Sequence, residues 1–450
     1  MKAILSKDLV VGEPGAYRPV LLRLATFRRR GRVPTGQQRV IRAYRNEVSR
    51  VVIPRGLLFR ARREAPLDIH DRRLRFEPRS FRWTGRLYPY QAAAVSAIYR
   101  QQGGVLVSAP GSGKTVMGLS LAAAWGQPTL WLTHTTRLAE QALSQAHRLF
   151  NLPPSSFGFV GDGSASIGSH FTVAMIQTLM KRPDIEKTLV GRFGALIVDE
   201  CHHAPADTYF RVISQFPAAY RLGLSATPDR TDGLGPLMVA MLGGRVAVPL
   251  RVLLEAGRVM RPLVLIQETS LRIHGQNRGW AEIERIRAHD LSRNAIILSI
   301  IRELTRLGRR TLVLVTRKDH ARILAKALTK TGLQAFAVIG DLTPERRDRY
   351  LAEMERGQAV CVATRLADEG LDIPALDALV LASAARSTVQ LDQQIGRVMR
   401  TMEGKRRPLV VDIADPHVPT YRRQVRKRLQ HYGQLGLEVR GVRQRESREA

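Results

Sequence analysis

Between residues 104 and 414, short apolar runs alternate with longer amphipathic ones, and the pattern runs through twice. The first series is GVLVSA (104–109), TLWLTH (129–134), TVAMIQ (172–177), ALIVDE (195–200) and RLGLSA (221–226). TTRLAEQALSQAHRLF (135–150) is a helical pattern within it. The second series is TLVLVT (311–316), LQAFAVIG (333–340), AVCVATR (359–365), ALVLAS (378–383) and LVVDIA (409–414). LSRNAIILSIIRELTRLG (291–308) and DHARILAKALTKTG (319–332) read as its helices. Runs this short and this apolar predict strands buried on both faces, and helices between them predict parallel sheets. The expected fold is therefore α/β: two tandem parallel-sheet domains, 81–250 and 286–415, joined by a linker at 251–285. A small β-rich or mixed domain is expected at 1–80. A basic helix rich in YRRQVRKRLQ, with a frayed end, is expected at 416–450.

Composition limits the partners. The chain has 450 residues and a formal charge of +32, from 71 Lys and Arg against 39 Asp and Glu. An excess this large points to a polyanion, with nucleic acid as the first candidate. Residues 1–80 alone hold 20 Lys and Arg against 7 Asp and Glu, consistent with an accessory DNA-binding role or simply a solvated basic face. Two cysteines cannot build a disulfide framework or a Cys-rich zinc site. The start MKAILSKDLVVG lacks the apolar core of a signal peptide, and no run approaches the ~20 apolar residues of a membrane span. The expected location is cytoplasmic or nucleoid-associated, with no membrane partner.

The segment SAPGSGKT (108–115) follows the first strand and opens the helical VMGLSLAAAW. In that context it reads as a phosphate-binding loop. Gly111, Ser112 and Gly113 would let backbone N–H groups close on phosphate oxygens, Lys114 would reach the terminal phosphates, and Thr115 would ligate Mg²⁺. Ser108 stands where the usual pattern has Gly, but the GSGKT core is intact. Such a loop needs an acidic partner at a strand end. ALIVDE supplies one, with Asp199 for the metal and Glu200 for the attacking water. ATP and Mg²⁺ are the cofactors this arrangement implies.

From here the sequence resembles superfamily 2 helicases and translocases with a DExH box, over residues 84–415. The motifs occur in order: LYPYQAAAV (87–95), SAPGSGKT, LTHTTRLAEQ (132–141), MIQTL (175–179), DECH (199–202), SATP (225–228), TLVLVTRKDHARIL (311–324), ATRLADEGLDIP (363–374) and QQIGRVMR (393–400). The resemblance implies two RecA-like domains with ATP held between them. It implies that Gln91 reads the adenine edge. It implies that Arg397 and Arg400 act as arginine fingers on a helix positioned by Gln393 and Gly396, and that Gly370 and Asp372 lie near the nucleotide. Arginine suits the finger role because its planar fork stays charged and matches phosphate oxygens. His202, Ser225 and Thr227 would couple the ATP site to the nucleic-acid track. Thr135, Arg137, Thr178, Arg317 and Thr364 would contact that track, although Thr178 and Thr364 could equally cap strand ends and Arg317 could be a solvated surface residue.

Within the family, SATPDRTDG (225–233), LLEAGRVMRPLV (253–264) and DLSRNAIIL (290–298) resemble the XPB-like and phage-type repair helicases. The branch's Arg-Glu-Asp element is here Arg230-Thr231-Asp232, without its central acid. The expected activity is ATP-dependent movement on DNA, in repair, recombination or phage replication. The alternatives are an RNA helicase and, less favoured, a DNA-binding module with a vestigial ATP site. LIVDECHHAP (196–205) could also suggest zinc or a cysteine nucleophile. However, His202 and His203 are adjacent at a strand end and point apart, and a Cys201 nucleophile would need a base oriented by a third group, so Cys201 is better read as the variable position of the box.

Overall fold

The computed structural model describes residues 1–28, 39–109, 111–161, 163–201, 211–226, 235–273, 278–364, 373–383 and 388–442. The chain divides into two compact units. The first holds residues 1–108 and 112–249, and the second holds 109–111 and 250–450.

The centre of the first unit is an eight-stranded sheet. Its spatial order is Ser164–Ala165, Phe157–Gly161, Phe171–Met175, Thr129–Thr133, Ala195–Val198, Tyr220–Ser225, Gly103–Ser108 and Arg245–Val248. Every pairing is parallel except the short hairpin at the first edge. The central strands Thr129–Thr133, Phe171–Met175 and Ala195–Val198 are buried throughout. Their unbroken apolar pattern follows from having helices over both faces. The core under them gathers Val105, Leu130, Leu132, Leu196, Val198, Phe193 and Phe216.

The basic N-terminal segment belongs to this same unit. It forms a five-stranded sheet in the order Arg45–Asn46, Arg50–Pro54, Asp8–Gly12, Lys2–Leu5, Asp68–Asp71, antiparallel except for the last pair. Its core includes Leu9, Val11, Leu21 and Ile53 and extends onto Leu237 and Ala240 of the helix Gly235–Leu242. Two buried arginines tie the sheets together. Arg55 donates to the carbonyls of Ala218 and Ala219, and Arg221 donates to those of Lys7, Phe216 and Met241. Each guanidinium, with five N–H donors and no acceptor, is suited to serve several carbonyls at once. Burial and mutual repulsion push the Arg55 guanidinium well down from its usual range. From Leu74 to Trp83 the chain runs on along the unit. Phe76 exchanges backbone hydrogen bonds with the Gln127 amide, and Phe81 packs edge-on to Phe150 at 5.0 Å.

The second unit is a seven-stranded, all-parallel sheet. Its order is Ala335–Val338, Val360–Thr364, Thr311–Val315, Ala378–Leu381, Leu409–Ala414, Leu263–Glu268 and Glu438–Val442. Two expectations differ from this. Residues 251–285, expected to link the domains, instead carry an internal strand of the second sheet: the apolar run Leu263–Glu268 pairs on both sides. The region after 416 is more than a basic helix. The helix Pro419–Gln434 buries Tyr421, Arg428 and Tyr432, and the chain then adds the edge strand Glu438–Val442. Arg428 is held by a bidentate pair with Asp412 at 2.7 and 2.9 Å, so this basic residue faces inward.

Gly56 permits the close approach of the N-terminal sheet. A Cβ there would lie 2.5 Å from the Ala240 carbonyl oxygen and 2.8 Å from the Gly243 nitrogen, both backbone atoms. Gly56→Ala is therefore expected to lower the unfolding free energy of the full chain by about 1–3 kcal/mol, measured by denaturant titration.

Candidate nucleotide site and motif residues

In the first unit, the phosphate loop, the acidic pair and Ser225 sit at the C-terminal ends of neighbouring strands. Val198 pairs with Gly223, and Ser225 pairs with Val107. In parallel sheets this edge is where loops gather and ligands bind. The loop turns tightly, with φ of +83° at Gly111 and +79° at Gly113, the N-cap of the helix Lys114–Trp125. A side chain rarely adopts this backbone, so the motif's glycines are needed for its shape. Lys114 is half-buried and its Nζ donates to the Ser108 carbonyl at 3.2 Å. The same ammonium is 3.8 Å from Glu200 Oε1.

Asp199 is buried at the end of the strand Ala195–Val198, and its N–H donates to the Leu132 carbonyl. Burial pushes its carboxyl up to about 7; the Glu200 charge adds to the effect, and Lys114 opposes it. A carboxylate held this uncomfortably favours a cation beside it. Glu200 takes a left-handed backbone, φ +43°, and its N–H donates to Asp199 Oδ1 at 2.9 Å. The turn separates two consecutive carboxylates, one buried and one at the Lys114 ammonium. The Oγ atoms of Ser108 and Ser112 are buried with no hydrogen-bond partner. Orphaned donors in a glycine-shaped loop, a buried carboxylate and a lysine together fit a polyphosphate with its divalent cation. Thr115, half-buried in the first turn of the helix, and Asp199 are the residues that would hold the cation.

Gln91 lies in the first turn of the helix Pro89–Gln101. It is buried; its Oε1 accepts from the Tyr88 N–H and its Nε2 donates to the Ser112 carbonyl at 2.9 Å. Tyr90 Oη donates to the same carbonyl at 2.9 Å. The segment before the loop thus grips the loop's backbone. Tyr90 was missed in the sequence, and the only hint of it was the aromatic preceding Gln91 in YPYQ.

Cys201 is a core residue. It is buried, its Sγ lies 3.1 Å from Met238 Sδ, and its N–H continues the sheet to Leu224. Among the described residues no group of three or more His, Cys, Asp or Glu is arranged to hold a metal. Ser225 is fully buried. His202, Thr227, Gly370 and Asp372 lie outside the described residues.

The candidate track residues fall in varied settings. Thr135 is exposed and caps its own helix, accepting from the Leu138 N–H at 3.3 Å. Arg137 is exposed on that helix, and Thr178 is half-buried on Ile176–Lys181. In the second unit Thr364 is buried at the end of Val360–Thr364. Arg317 makes a bidentate pair with Asp319 at 2.9 and 2.8 Å, so its charge already has a partner. Also in that unit, Gln393 lies on the helix Thr388–Gly396, and Arg397 and Arg400 lie on the turn that leaves it.

Comparison with known proteins adds two family models in order along the chain. "Type III restriction enzyme, res subunit" matches residues 84–230, and "Helicase conserved C-terminal domain" matches 292–402. The chain belongs to superfamily 2 of the helicases and translocases, in its XPB-like and phage-type branch. It is 28% identical over 311 residues to "Probable helicase D10" of Escherichia phage T5, covering 68% of this chain and 66% of the phage protein. It is 25% identical over 382 residues to "DNA 3'-5' translocase XPB2" of Sulfurisphaera tokodaii, covering 76% of this chain and 84% of that one. Thus the chain spans just under two thirds of the phage helicase. Among solved structures it resembles S. cerevisiae Dbp5 bound to RNA and ADP BeF3, with a TM-score of 0.55, 16% identity, and 79% of this chain and 94% of that chain covered. That likeness shows the fold alone, RecA-like domains built on parallel sheets.

The loop geometry gives a direct test. Gly113→Ala forces an alanine into φ +79° and puts its Cβ 2.5 Å from Gln91 Nε2. The strain is about 1–2 kcal/mol. Affinity for a fluorescent ATP analogue is expected to fall about tenfold. Unchanged affinity would show that the loop does not cradle the nucleotide.

Proposed function

We propose that the chain is an ATP-dependent DNA translocase or helicase, acting in repair, recombination or phage replication. The observation that carries this reading is the cluster of Lys114, Asp199 and Glu200 past the ends of the two strands that flank Tyr220–Ser225, behind a glycine-shaped loop. Bound Mg²⁺ would neutralise phosphate charge and polarise the terminal phosphoryl group. Lys114 is placed to hold phosphate oxygens once it leaves Glu200. Glu200, released from that pair, becomes the base that orients and deprotonates water. Asp199 and Thr115 would hold the cation. Arg397 and Arg400 are the arginines assigned to the developing phosphate charge.

The relatives named for DNA translocation and the formal charge of +32 support DNA over RNA as the polyanion. Exposed Thr135 and Arg137 would touch phosphates without reading sequence. Arg317 is a weaker candidate, because contact with phosphate would compete with Asp319. No described helix is long and apolar enough to cross a membrane.

Two measurements test this. Glu200→Gln is expected to bind ATP and DNA within about threefold of the parent, while DNA-stimulated turnover falls at least ~10²-fold. Normal turnover would remove Glu200 from the mechanism, and Lys114→Ala sets the background. Separately, DNA is expected to stimulate ATPase more than RNA of equal length at the same salt. Stronger stimulation by RNA would reverse the substrate assignment.

A further inference from the structure

The helix Thr388–Gly396 ends at the segment Arg397–Arg400, and the chain then makes the turn MEGK (402–405). Gly404, at φ +69°, supplies the reversal, and Lys405 N–H donates to the Met402 carbonyl. The turn sends Lys405 back onto the arginine segment. Its Nζ donates to the carbonyls of Val398 and Arg400, each at 2.8 Å, and to that of Pro374 at 2.9 Å. The carbonyl lying between the first two, that of Met399, accepts from the Met260 N–H at 2.6 Å, beside a bridge pairing Val259 with Arg400. Three consecutive carbonyls, Val398 to Arg400, are therefore all held, two of them by one ammonium. The third acceptor, Pro374, closes ATRLADEGLDIP, so the same group joins the ends of two motifs.

We propose that Lys405 is a positioning residue for ATP turnover: its ammonium fixes the backbone that presents Arg397 and Arg400. The proposal rests on the reading that these arginines act on the phosphates. Among the described residues, the hydrogen bonds of the Lys405 ammonium go to carbonyls. An ammonium has three N–H donors and no acceptor, which matches three carbonyls; a neutral amine has two donors and a lone pair that would face the third oxygen. The clamp therefore requires the proton.

The surroundings make that proton easier to lose. Lys405 is half-buried, and burial pushes its ammonium down to about 8. Arg400 pushes the same way, and Asp377 opposes both. The Asp377 carboxylate also accepts from Arg310 N–H and pairs with Arg309 and Arg406 at 3.5 and 3.3 Å. The protonated, clamped form dominates below about pH 8 and is lost as pH rises through that value.

The experiment compares the full-length chain with Lys405→Met and Lys405→Arg. DNA-stimulated ATPase is followed from pH 6.5 to 9.5 with kcat and KM resolved. Thermal unfolding and binding of a fluorescent ATP analogue are measured alongside. Lys405→Met is expected to lower kcat about 10- to 100-fold with little change in KM, since displacing catalytic groups by about 1 Å can cost that much. Nucleotide binding should stay within about threefold. Lys405→Arg, charged across the range, should recover a large part of kcat and lose the alkaline fall seen in the parent. Parental kcat in Lys405→Met would overturn the proposal. So would a loss of nucleotide binding and thermal stability in step with kcat, because that is what a purely structural lysine would give. An alkaline fall of equal size in Lys405→Arg would also overturn it. If the parent chain shows no ATPase at all, the functional reading fails first.

Discussion

Strands buried on both faces leave a protein only their ends on which to place chemistry. In the first unit the strands Thr129–Thr133, Ala195–Val198 and Tyr220–Ser225 have almost no exposed side chain along their length. Parallel pairing aligns their C-terminal ends, and there the sequence changes abruptly from apolar to functional: Val107 gives way to the phosphate loop, Val198 to Asp199, Leu224 to Ser225. The helices that make parallel pairing possible also exclude water from the sheet. This is why the first acidic residue past the apolar strand is a strained one.

That strain gives the pair its division of labour. Asp199 is buried with its carboxyl pushed up to about 7, whereas Glu200 is turned by its left-handed backbone toward Lys114. Two adjacent carboxylates in the same environment would repel and act alike. The turn separates them, so that one is poised to gain a cation and the other already shares one. The 3.8 Å contact between Lys114 and Glu200 brings the two charged groups together. Arriving phosphate oxygens would compete for Lys114 and free Glu200.

The parts of this organisation legible in the sequence were those carried by local pattern. Apolar runs ending in charged residues located most of the internal strands, and GSGKT and DECH located the loop and the acidic pair. Pairing between distant segments was far less legible. LVLIQE at 263–268 is as apolar as its neighbours, but it follows a helix Leu250–Glu255 and a turn, and only its partners Leu409–Ala414 and Glu438–Val442 place it inside the second sheet. Glu438–Val442 reads EVRGV, with no apolar run to announce it. The contact of Gln91 with the phosphate loop was not legible for a similar reason: an amide's partner depends on which backbone it meets, and here that is the Ser112 carbonyl.

Net charge is the feature most easily over-read in such a chain. Arg55, Arg221, Arg287, Arg293 and Arg428 are all buried, and each has a structural partner. Arg55 and Arg221 satisfy carbonyls that join the N-terminal sheet to the sheet of the first unit. Arg287 pairs with Glu284, Arg293 with Asp415, and Arg428 with Asp412. These residues add to the formal +32 but present no charge to a polyanion. The charge at the surface comes from exposed residues, such as Arg60, Arg62 and Arg63 on the short helix Leu58–Glu64. The carbonyls held by Arg55 and Arg221 fasten the N-terminal sheet to the sheet that bears the phosphate loop, so these two buried charges act within the fold of the first unit and not at its surface.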